Sequence, residues 1–316
     1  MKEYAFGLDL GGTTCKVGLF KTDGTLVEKW EVPTDTSNGG ENILKNLAEA
    51  VHAKMNELAI TADSVEGVGI GVPGPVTPDG IVNKCVNLGW GRFSIEKDFS
   101  ELLQLPVKAG NDANVAALGE YWKGAGVGYD DMVMVTLGTG IGGGIILNGK
   151  MLAGVNGAAG EIGHIIVDKK ETDVCGCGRR GCIEQYASAT GVVRIAKRHL
   201  AAKDTPSTLR DIDLDKLEAR HVFDAAKAGD ELAEGIAKEA CELLGHAMSS
   251  ISCVVDPQAF VIGGGVSKAG QYLIDLVEKE YKNYAFHAHQ GAKILTAKLG
   301  NDAGMYGSVK MVIDRE

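Results

Sequence analysis

The feature that most constrains the fold is a plan of strand, glycine-rich turn, strand and hairpin that occurs twice, about 130 residues apart. The first copy has its strand, turn and two hairpin strands at Tyr4–Leu8, Asp9–Thr14, Lys16–Phe20 and Thr25–Val32. The second copy has the same parts in the same order, at Met132–Leu137, Gly138–Gly144, Ile145–Leu147 and Lys150–Val155. Asp-Gly and Asn-Gly pairs mark the two hairpins. The pattern predicts a duplicated structural unit, one in each of two domains; two unrelated hairpins are the alternative.

Elsewhere, buried strands alternate with amphipathic helices, which favours an α/β fold. The patterns predict helices over 41–59, 184–200, 220–252, 268–283 and 303–311, and strands over 65–72, 107–109, 259–262 and 293–297. At roughly 100–200 residues per domain, 316 residues form about two domains. We assign residues 1–110 with 301–316 to a small α/β domain and 111–300 to a large one. The polar stretch 203–216 is expected to be a surface excursion.

Charge and hydropathy exclude several classes of protein. With 32 Lys and Arg against 42 Asp and Glu, the net charge of −10 argues against a broad nucleic-acid-binding face. No apolar run reaches the roughly 18 residues that a membrane helix needs, and the N-terminal stretch does not read as a signal peptide. We therefore expect no nucleic acid, no membrane and a cytoplasmic location. There, seven cysteines stay reduced, and four of them lie in apolar patterns typical of a core: Cys15, Cys85, Cys241 and Cys253.

Three glycine turns, at 9–14, 138–144 and 263–265, each follow a predicted strand. Glycine allows the backbone to approach a phosphate, and successive N–H groups form an anion-binding nest. None of the turns has the Walker pattern, and the second leads into a strand rather than a helix, which argues against a dinucleotide turn. Asp9 adds a carboxylate suited to hydrated Mg²⁺ that accompanies phosphates. Three tight turns without a ligand are the alternative interpretation.

His164 and three cysteines have the spacing of a closed zinc site. The ligand types are an imidazole and the thiols of Cys175, Cys177 and Cys182, with glycines between them. Three thiolates and one imidazole fill a tetrahedral Zn²⁺ shell, so such an ion is structural rather than hydrolytic. Redox-active thiols and unliganded cysteines are the alternatives.

Polar residues also gather in loops bounded by glycine. They are Asn111, Asp112, Glu161, His164 and Glu184. Carboxylates, an amide and an imidazole can each form paired hydrogen bonds to neighbouring hydroxyls, as a sugar ligand requires. For Asp112 alone, a helix cap over 113–121 is the alternative.

Asp9–Thr14, Leu137–Gly144 and Val261–Ser267 resemble the two phosphate motifs and the adenosine motif of the superfamily of sugar kinases, heat-shock chaperones and actin. That superfamily has two domains of ribonuclease-H-like topology, with ATP in the cleft between them. Leu137–His164 and Cys175–Glu184 further resemble the signature and zinc motif of the ROK (repressor, open reading frame, kinase) family, and within it the bacterial glucokinases. The resemblance covers essentially the whole chain.

The resemblance implies ATP-dependent phosphorylation of the glucose 6-hydroxyl, with Mg²⁺ as cofactor and structural Zn²⁺ held by His164, Cys175, Cys177 and Cys182. Asp112 would be the catalytic base. Asn111, Asp112, Glu161, His164 and Glu184 would bind the sugar, with one ring nitrogen of His164 on the metal and the other toward the sugar. The implied nucleotide-binding residues are Asp9, Gly11, Gly12, Thr13, Thr14, Gly138, Thr139, Gly140, Gly263, Gly264 and Gly265.

Other functions stay open on the sequence alone. The family includes kinases for N-acetylglucosamine, N-acetylmannosamine, fructose and mannose, and ADP or polyphosphate would suit the same glycine turns. A transcriptional repressor would carry a helix-turn-helix ahead of the first phosphate motif, whereas Asp9 comes after eight residues. A non-catalytic sugar sensor is a third class, against which Asp9 and Asp112 argue. The resemblance also implies a homodimer or homotetramer.

Overall fold

The chain forms two units, each built on a five-stranded mixed sheet, in a computed structural model that describes residues 2–314. The first unit comprises Met1–Asp130, Gly144–Gly160 and Lys298–Glu316. The second comprises Asp131–Gly143 and Glu161–Ala297. This division groups 111–130 and 144–160 with the first unit, whereas the boundaries predicted at 110 and 301 give them to the large domain. Those domain boundaries stay a prediction.

The first sheet has the strand order β3-β2-β1-β4-β7. Its strands are β1 (Tyr4–Leu10), β2 (Thr14–Lys21), β3 (Leu26–Pro33), β4 (Val65–Val72) and β7 (Val107–Asn111). The hairpin strands β1, β2 and β3 are antiparallel, and β4 pairs in parallel with both β1 and β7. Every residue of β4 is buried, Glu66 included, in agreement with the buried strand predicted over 65–72. Two short strands, β5 (Ile81–Val82) and β6 (Phe93–Ser94), pair with each other apart from this sheet.

The second sheet repeats the same plan, with the order β10-β9-β8-β11-β12. Its strands are β8 (Met132–Leu137), β9 (Ile141–Leu147), β10 (Lys150–Met151), β11 (Ala259–Gly263) and β12 (Lys293–Thr296). Again the first three strands are consecutive in the chain, and β11 pairs in parallel with β8 and β12. Position by position, the two sheets have the same order, so the predicted duplication and the α/β class are confirmed.

Nine α-helices surround these sheets within residues 2–314. They are α1 (Ile43–Glu57), α2 (Ile95–Leu103), α3 (Asp112–Lys123), α4 (Glu184–Ala187), α5 (Ala189–Ala202), α6 (Ala219–Lys227), α7 (Glu231–Val255), α8 (Gln271–Tyr284) and α9 (Ala303–Asp314). None of them is both long and apolar enough to cross a bilayer. In the first unit, α3 and α9 approach closely because glycines face each other: a Cβ at Gly119 would lie 3.0 Å from the Gly307 nitrogen.

Several boundaries differ from the sequence-based predictions. Strand β9 begins at Ile141, so the glycines that follow Ile141 lie in a strand rather than in the turn. The predicted strand over 150–155 is only two residues long. The predicted helix over 220–252 is two helices, because the chain turns at 228–230. Within the surface excursion, Leu209 is fully buried and fastens the segment to the second unit. Cys253 is exposed, so its prediction as a core residue is wrong, whereas Cys15, Cys85 and Cys241 are buried.

Candidate functional site

The predicted functional residues fall into one set in each unit. The first unit contains Asp9, the turn over 11–14, Asn111 and Asp112. The second contains the turns at 138–140 and 263–265, with Glu161, His164, Glu184 and the three cysteines.

Asp9 lies in strand β1 beside the first glycine turn, rather than in the turn itself. The turn is closed by a hydrogen bond from the Gly11 nitrogen to the Thr14 carbonyl, at 3.0 Å. A side chain at Gly12 would meet no heavy atom within 4 Å, so one face of the turn is open to a ligand. Burial raises the pKa of Asp9, and Lys16, whose ammonium lies 3.6 Å from the carboxylate, partly offsets that rise.

Asn111 ends strand β7 and caps helix α3. Its side-chain oxygen accepts hydrogen bonds from the Ala113 and Asn114 nitrogens, at 3.0 and 3.2 Å, and its amide nitrogen donates to the Gly74 carbonyl at 3.2 Å. The alternative reading of Asp112 as the cap is therefore wrong: Asp112 is the first residue of the helix, and Asn111 fills the capping position. The strand end, the cap and the Gly74 carbonyl together fix the backbone that carries the Asp112 carboxylate.

Two buried or half-buried amides support this part of the first unit, and both escaped the sequence analysis. Asn114 is buried on α3 and donates to the Ala159 carbonyl at 3.2 Å. Asn83 donates to the Asn156 carbonyl at 3.0 Å. The Asn114 bond holds the loop over 153–160 against helix α3, and the Asn83 bond holds it against the segment that follows strand β5. Neither side chain has a sequence signal, because Asn114 and Asn83 bond to carbonyls that lie 45 and 73 residues away along the chain.

The second glycine turn is a tight link between β8 and β9, formed by Gly138–Gly140 alone. The Gly138 nitrogen donates to the Gly140 carbonyl at 3.0 Å. The start of α5 holds the turn from outside: the Ala189 nitrogen donates to the Gly138 carbonyl at 2.8 Å, and the Thr190 hydroxyl to the Thr139 carbonyl at 2.7 Å. The position of the turn therefore depends on α5.

The third glycine turn follows β11 and lies beside a large cavity. Gly264 has φ +82°, and a Cβ there would lie 2.5 Å from the Leu137 carbonyl oxygen, so only glycine fits. The cavity has a volume of about 670 Å³. Thr139, Thr190 and Gly265 lie at its wall. The other residues that line the cavity were not predicted from the sequence. The apolar ones are Val193, Leu217, Ala219, Phe223 and Val266. The charged ones are Glu218, Arg220, Asp224 and Lys268.

His164 and the three cysteines form one cluster. Their four ligand atoms lie within 4.8 Å of one another. The Sγ atoms of Cys177 and Cys182 are 3.6 Å apart, and the Cys175 Sγ is 3.9 Å from the His164 Nδ1. A tetrahedral Zn²⁺ with bonds of about 2.3 Å to sulfur places its ligands roughly 3.8 Å apart. The cluster fits that geometry with little movement.

The protonation state of the three thiols affects the binding of a metal ion. Burial raises the pKa of Cys175 to about 12, whereas the hydrogen bond from the Arg179 backbone lowers the pKa of Cys177 to about 6. Without a cation, the three thiols are therefore not all ionised at neutral pH. A divalent ion stabilises the thiolates and releases the remaining protons on binding.

The predicted sugar-binding residues of the second unit surround the same histidine. The His164 Nδ1 faces the thiols and lies 3.5 Å from the Glu184 Oε1, while the Nε2 lies 3.9 Å from the Glu161 Oε2. Glu184 is the first residue of α4, as predicted, and also accepts from the Cys175 Sγ at 2.9 Å. A Cβ at Gly140 would lie 2.7 Å from the other Glu184 oxygen. The glycine turn, Glu184 and the cysteine cluster are therefore neighbours.

Known proteins of one family are similar to this chain over nearly its whole length. The sequence model of a family described as ROK family matches residues 5–315. A glucokinase of Halalkalibacterium halodurans is 42% identical over 313 residues, which are 98% of this chain and 95% of that protein. A solved ROK family glucokinase from Streptomyces griseus, in complex with glucose and AMPPNP, is 35% identical, with a TM-score of 0.77 and 98% of each chain covered. A ROK hexokinase from Thermus thermophilus is 32% identical, with a TM-score of 0.80, over 97% of this chain and 96% of that one.

Proposed function

The chain belongs to the ROK family, and from that membership we propose that it is an ATP-dependent glucokinase, which transfers the γ-phosphoryl group of ATP to the 6-hydroxyl of glucose. The fold is the α/β, actin-like ATPase type. The observation that carries the proposal is the similarity, over 98% of each chain, to a glucokinase that was crystallised with glucose and an ATP analogue.

Asp112 is the proposed general base. Its carboxylate would accept the proton of the 6-hydroxyl as the oxygen bonds to phosphorus. The transition state of phosphoryl transfer is loose in most analyses, so orientation of the hydroxyl and neutralisation of charge matter more than base strength. The Asn111 cap and its bond to Gly74 support this role, because they fix the first turn of α3.

The nucleotide-binding role falls to the three glycine turns. Backbone N–H groups of 11–14 in the first unit, and those of 138–140 in the second, have the chemistry to bind phosphate oxygens. The 670 Å³ cavity beside 263–265 would take the adenosine between Phe223 and its apolar neighbours. Asp9 has the carboxylate chemistry to hold a hydrated Mg²⁺. Bound there, Mg²⁺ would supply positive charge to the β- and γ-phosphates.

The cysteine cluster is proposed to hold a structural zinc. His164, Cys175, Cys177 and Cys182 would be its four ligands, and such an ion has no open position for substrate. When bound, zinc supplies a fixed ring orientation for His164. The Nε2, which faces Glu161 rather than the thiols, then stays available to a sugar hydroxyl. A site built from thiolates suits a reducing compartment such as the cytoplasm, and ATP is available there.

Glucose is proposed as the preferred sugar over the other hexoses that ROK kinases use. The test is an assay of ADP release with Mg²⁺-ATP and a panel of glucose, mannose, fructose, N-acetylglucosamine and N-acetylmannosamine. We expect by far the highest kcat/KM with glucose. A higher value with an N-acetyl sugar would refute the specificity but leave the kinase intact. No stimulation by any sugar would refute the kinase and favour a sugar sensor.

The homodimer or homotetramer implied by the family stays a prediction. Light scattering coupled to size-exclusion chromatography, with and without glucose, measures it directly.

A further inference from the structure

A charge cluster with a buried carboxylate at its centre lies between the cysteine loop and helix α5, and none of the roles proposed above uses it. Its centre is Glu171, whose side chain is only 1% exposed. We call the group the anchor cluster, and its members are Glu171, Asp173, Tyr186, Arg194 and Arg198.

The Glu171 carboxylate accepts six hydrogen bonds, three on each oxygen. Arg198 donates twice, at 2.8 and 3.0 Å, Arg194 once at 2.8 Å, and the Tyr186 hydroxyl once at 2.6 Å. The Thr172 and Asp173 nitrogens complete the set, each at 2.9 Å. Hydrogen bonds from Arg198, Arg194 and Tyr186 hold the pKa of Glu171 far below its usual range, so this carboxylate stays ionised at any physiological pH.

The charges of the anchor cluster balance. Asp173 accepts from the same two guanidinium groups, at 3.0 Å from Arg194 and 2.7 Å from Arg198. Two carboxylates thus face two guanidinium groups, and Arg194 also stacks 5.0 Å above the Tyr186 ring. A buried carboxylate is stable only with such compensation, so loss of one charge disturbs the whole group.

The anchor cluster joins three segments that bear on the proposed site. Glu171 and Asp173 lie in the loop between His164 and Cys175, Tyr186 lies in α4, and both arginines lie in α5. Gln185 extends the link: it donates to the Asp173 carbonyl at 3.0 Å and accepts from the Cys182 nitrogen at 3.1 Å. Gln185 and Tyr186 directly follow Glu184. The backbone on either side of the cysteines and of Glu184 is therefore fixed by contacts that include no metal ligand side chain.

We propose that the anchor cluster is a positioning device that holds the cysteine loop and the Glu184 turn in their binding geometry before any metal binds. Zinc then enters a preformed site rather than folding the loop around itself. The sugar part of this inference rests on the proposed role of Glu184 in binding hydroxyls. The zinc part stands on the cluster of ligand atoms alone.

The test compares Glu171→Gln with the parent and with a matched control on the same helix. Lys197→Gln is the control, because Lys197 lies on α5 and its ion pair with Asp215 is both long, at 4.0 Å, and solvent-exposed, with Asp215 96% exposed. Tyr186→Phe is the milder variant. It removes the hydroxyl, whose single proton lies between a Glu171 oxygen at 2.6 Å and an Asp168 oxygen at 2.9 Å, but keeps the ring beneath Arg194.

Zinc affinity is measured first, by titrating the metal-free proteins with Zn²⁺ in competition with a chromophoric chelator. We expect Glu171→Gln to bind zinc about 10–100-fold more weakly, as is typical when groups that orient metal ligands are lost. Tyr186→Phe should weaken binding less, and Lys197→Gln should match the parent. Trypsin gives a second readout without metal, since Arg179 and Arg180 are exposed in the loop. The metal-free parent should resist cleavage there, and metal-free Glu171→Gln should not.

Steady-state kinetics of the zinc-loaded proteins separate positioning from general damage. If Glu184 is displaced, KM for glucose rises more than kcat falls. Parental zinc affinity in both Glu171→Gln and Tyr186→Phe would overturn the proposal, as would rapid cleavage of the metal-free parent. If Glu171→Gln does not fold, Tyr186→Phe decides. A parent without sugar-dependent turnover would refute the proposed kinase, while the zinc and trypsin results would still decide on the anchor cluster.

Discussion

Replacement of Gly307 by alanine tests the close packing of α3 against α9, on which the position of Asp112 depends. In a helix interior, alanine is favoured over glycine by about 1 kcal/mol. At Gly307, however, the added methyl group would overlap the Val115 carbonyl oxygen and lie 2.8 Å from the Gly119 nitrogen. Backbone atoms cannot rotate away from a clash, so the helices must separate. Overpacking of this kind typically lowers the free energy of unfolding by about 1–3 kcal/mol, and we expect a loss of about 3 kcal/mol for Gly307→Ala.

Gly235→Ala is the matched control. Gly235 also lies inside a helix, α7, but a methyl group there would meet no heavy atom within 4 Å. The gain in helix propensity is common to both variants, so the difference between them isolates the packing cost. At about 3 kcal/mol and roughly 2 °C per kcal/mol, Gly307→Ala should melt about 6 °C below Gly235→Ala.

Scanning calorimetry of the two variants and the parent measures this difference, and kcat measures its functional consequence. Gly235→Ala should melt slightly above the parent with normal turnover. Gly307→Ala should melt below the parent and lose kcat, because α3 begins at Asp112. An equal rise in Tm for both variants would refute the packing argument and the link to Asp112.

Asp112→Asn should lower kcat by about 10²–10⁴-fold, the usual range for a general base, while calorimetric binding of glucose largely survives; turnover near the parental rate would refute the assignment. Cys177→Ser should lose zinc, measured by atomic absorption, and unfold at a lower temperature; full metal retention would remove Cys177 from the ligand set. Zinc affinity of the parent should fall as pH falls, because the Cys175 thiol, with its pKa raised to about 12, must lose its proton to bind; constant affinity between about pH 8 and 6 would contradict this. Phe223→Ala should raise KM for ATP but not KM for glucose; unchanged kinetics would place the adenosine elsewhere.

The parts of the fold that the sequence predicts well are those whose signal is local and repeated. Hairpin turns, glycine turns and buried strands each have a pattern of a few residues, and their recurrence in one order specifies both sheets. The extent of a glycine run in a strand is harder to predict. Gly144 lies in β9 where helix α3 packs against the strand, and a Cβ at this position would lie 2.8 Å from the Ala113 carbonyl oxygen. Propensity alone would exclude glycine from a strand.

In the candidate site, too, the residues with a local sequence pattern are the ones that the sequence predicts. Cysteine spacing and the Asn111-Asp112 pair are visible in the sequence, because ligands and caps lie close together along the chain. Residues that act through distant partners have no such signal. Phe223 reaches the cavity beside Gly265 from α6, and Arg198 reaches Glu171 across 27 residues. Cys253 shows the opposite error: an apolar sequence neighbourhood does not reveal which face of a helix is exposed.

Identification of the reaction product tests the proposed transfer of phosphate from ATP to the 6-hydroxyl of glucose. Glucose labelled with ¹³C is incubated with Mg²⁺-ATP and the zinc-loaded protein, and ¹³C and ³¹P NMR follow the products. We predict one equivalent of ADP for each phosphorylated sugar, with the phosphate on the oxygen of carbon 6. ADP and inorganic phosphate without a sugar phosphate, or phosphate on another hydroxyl, would contradict it.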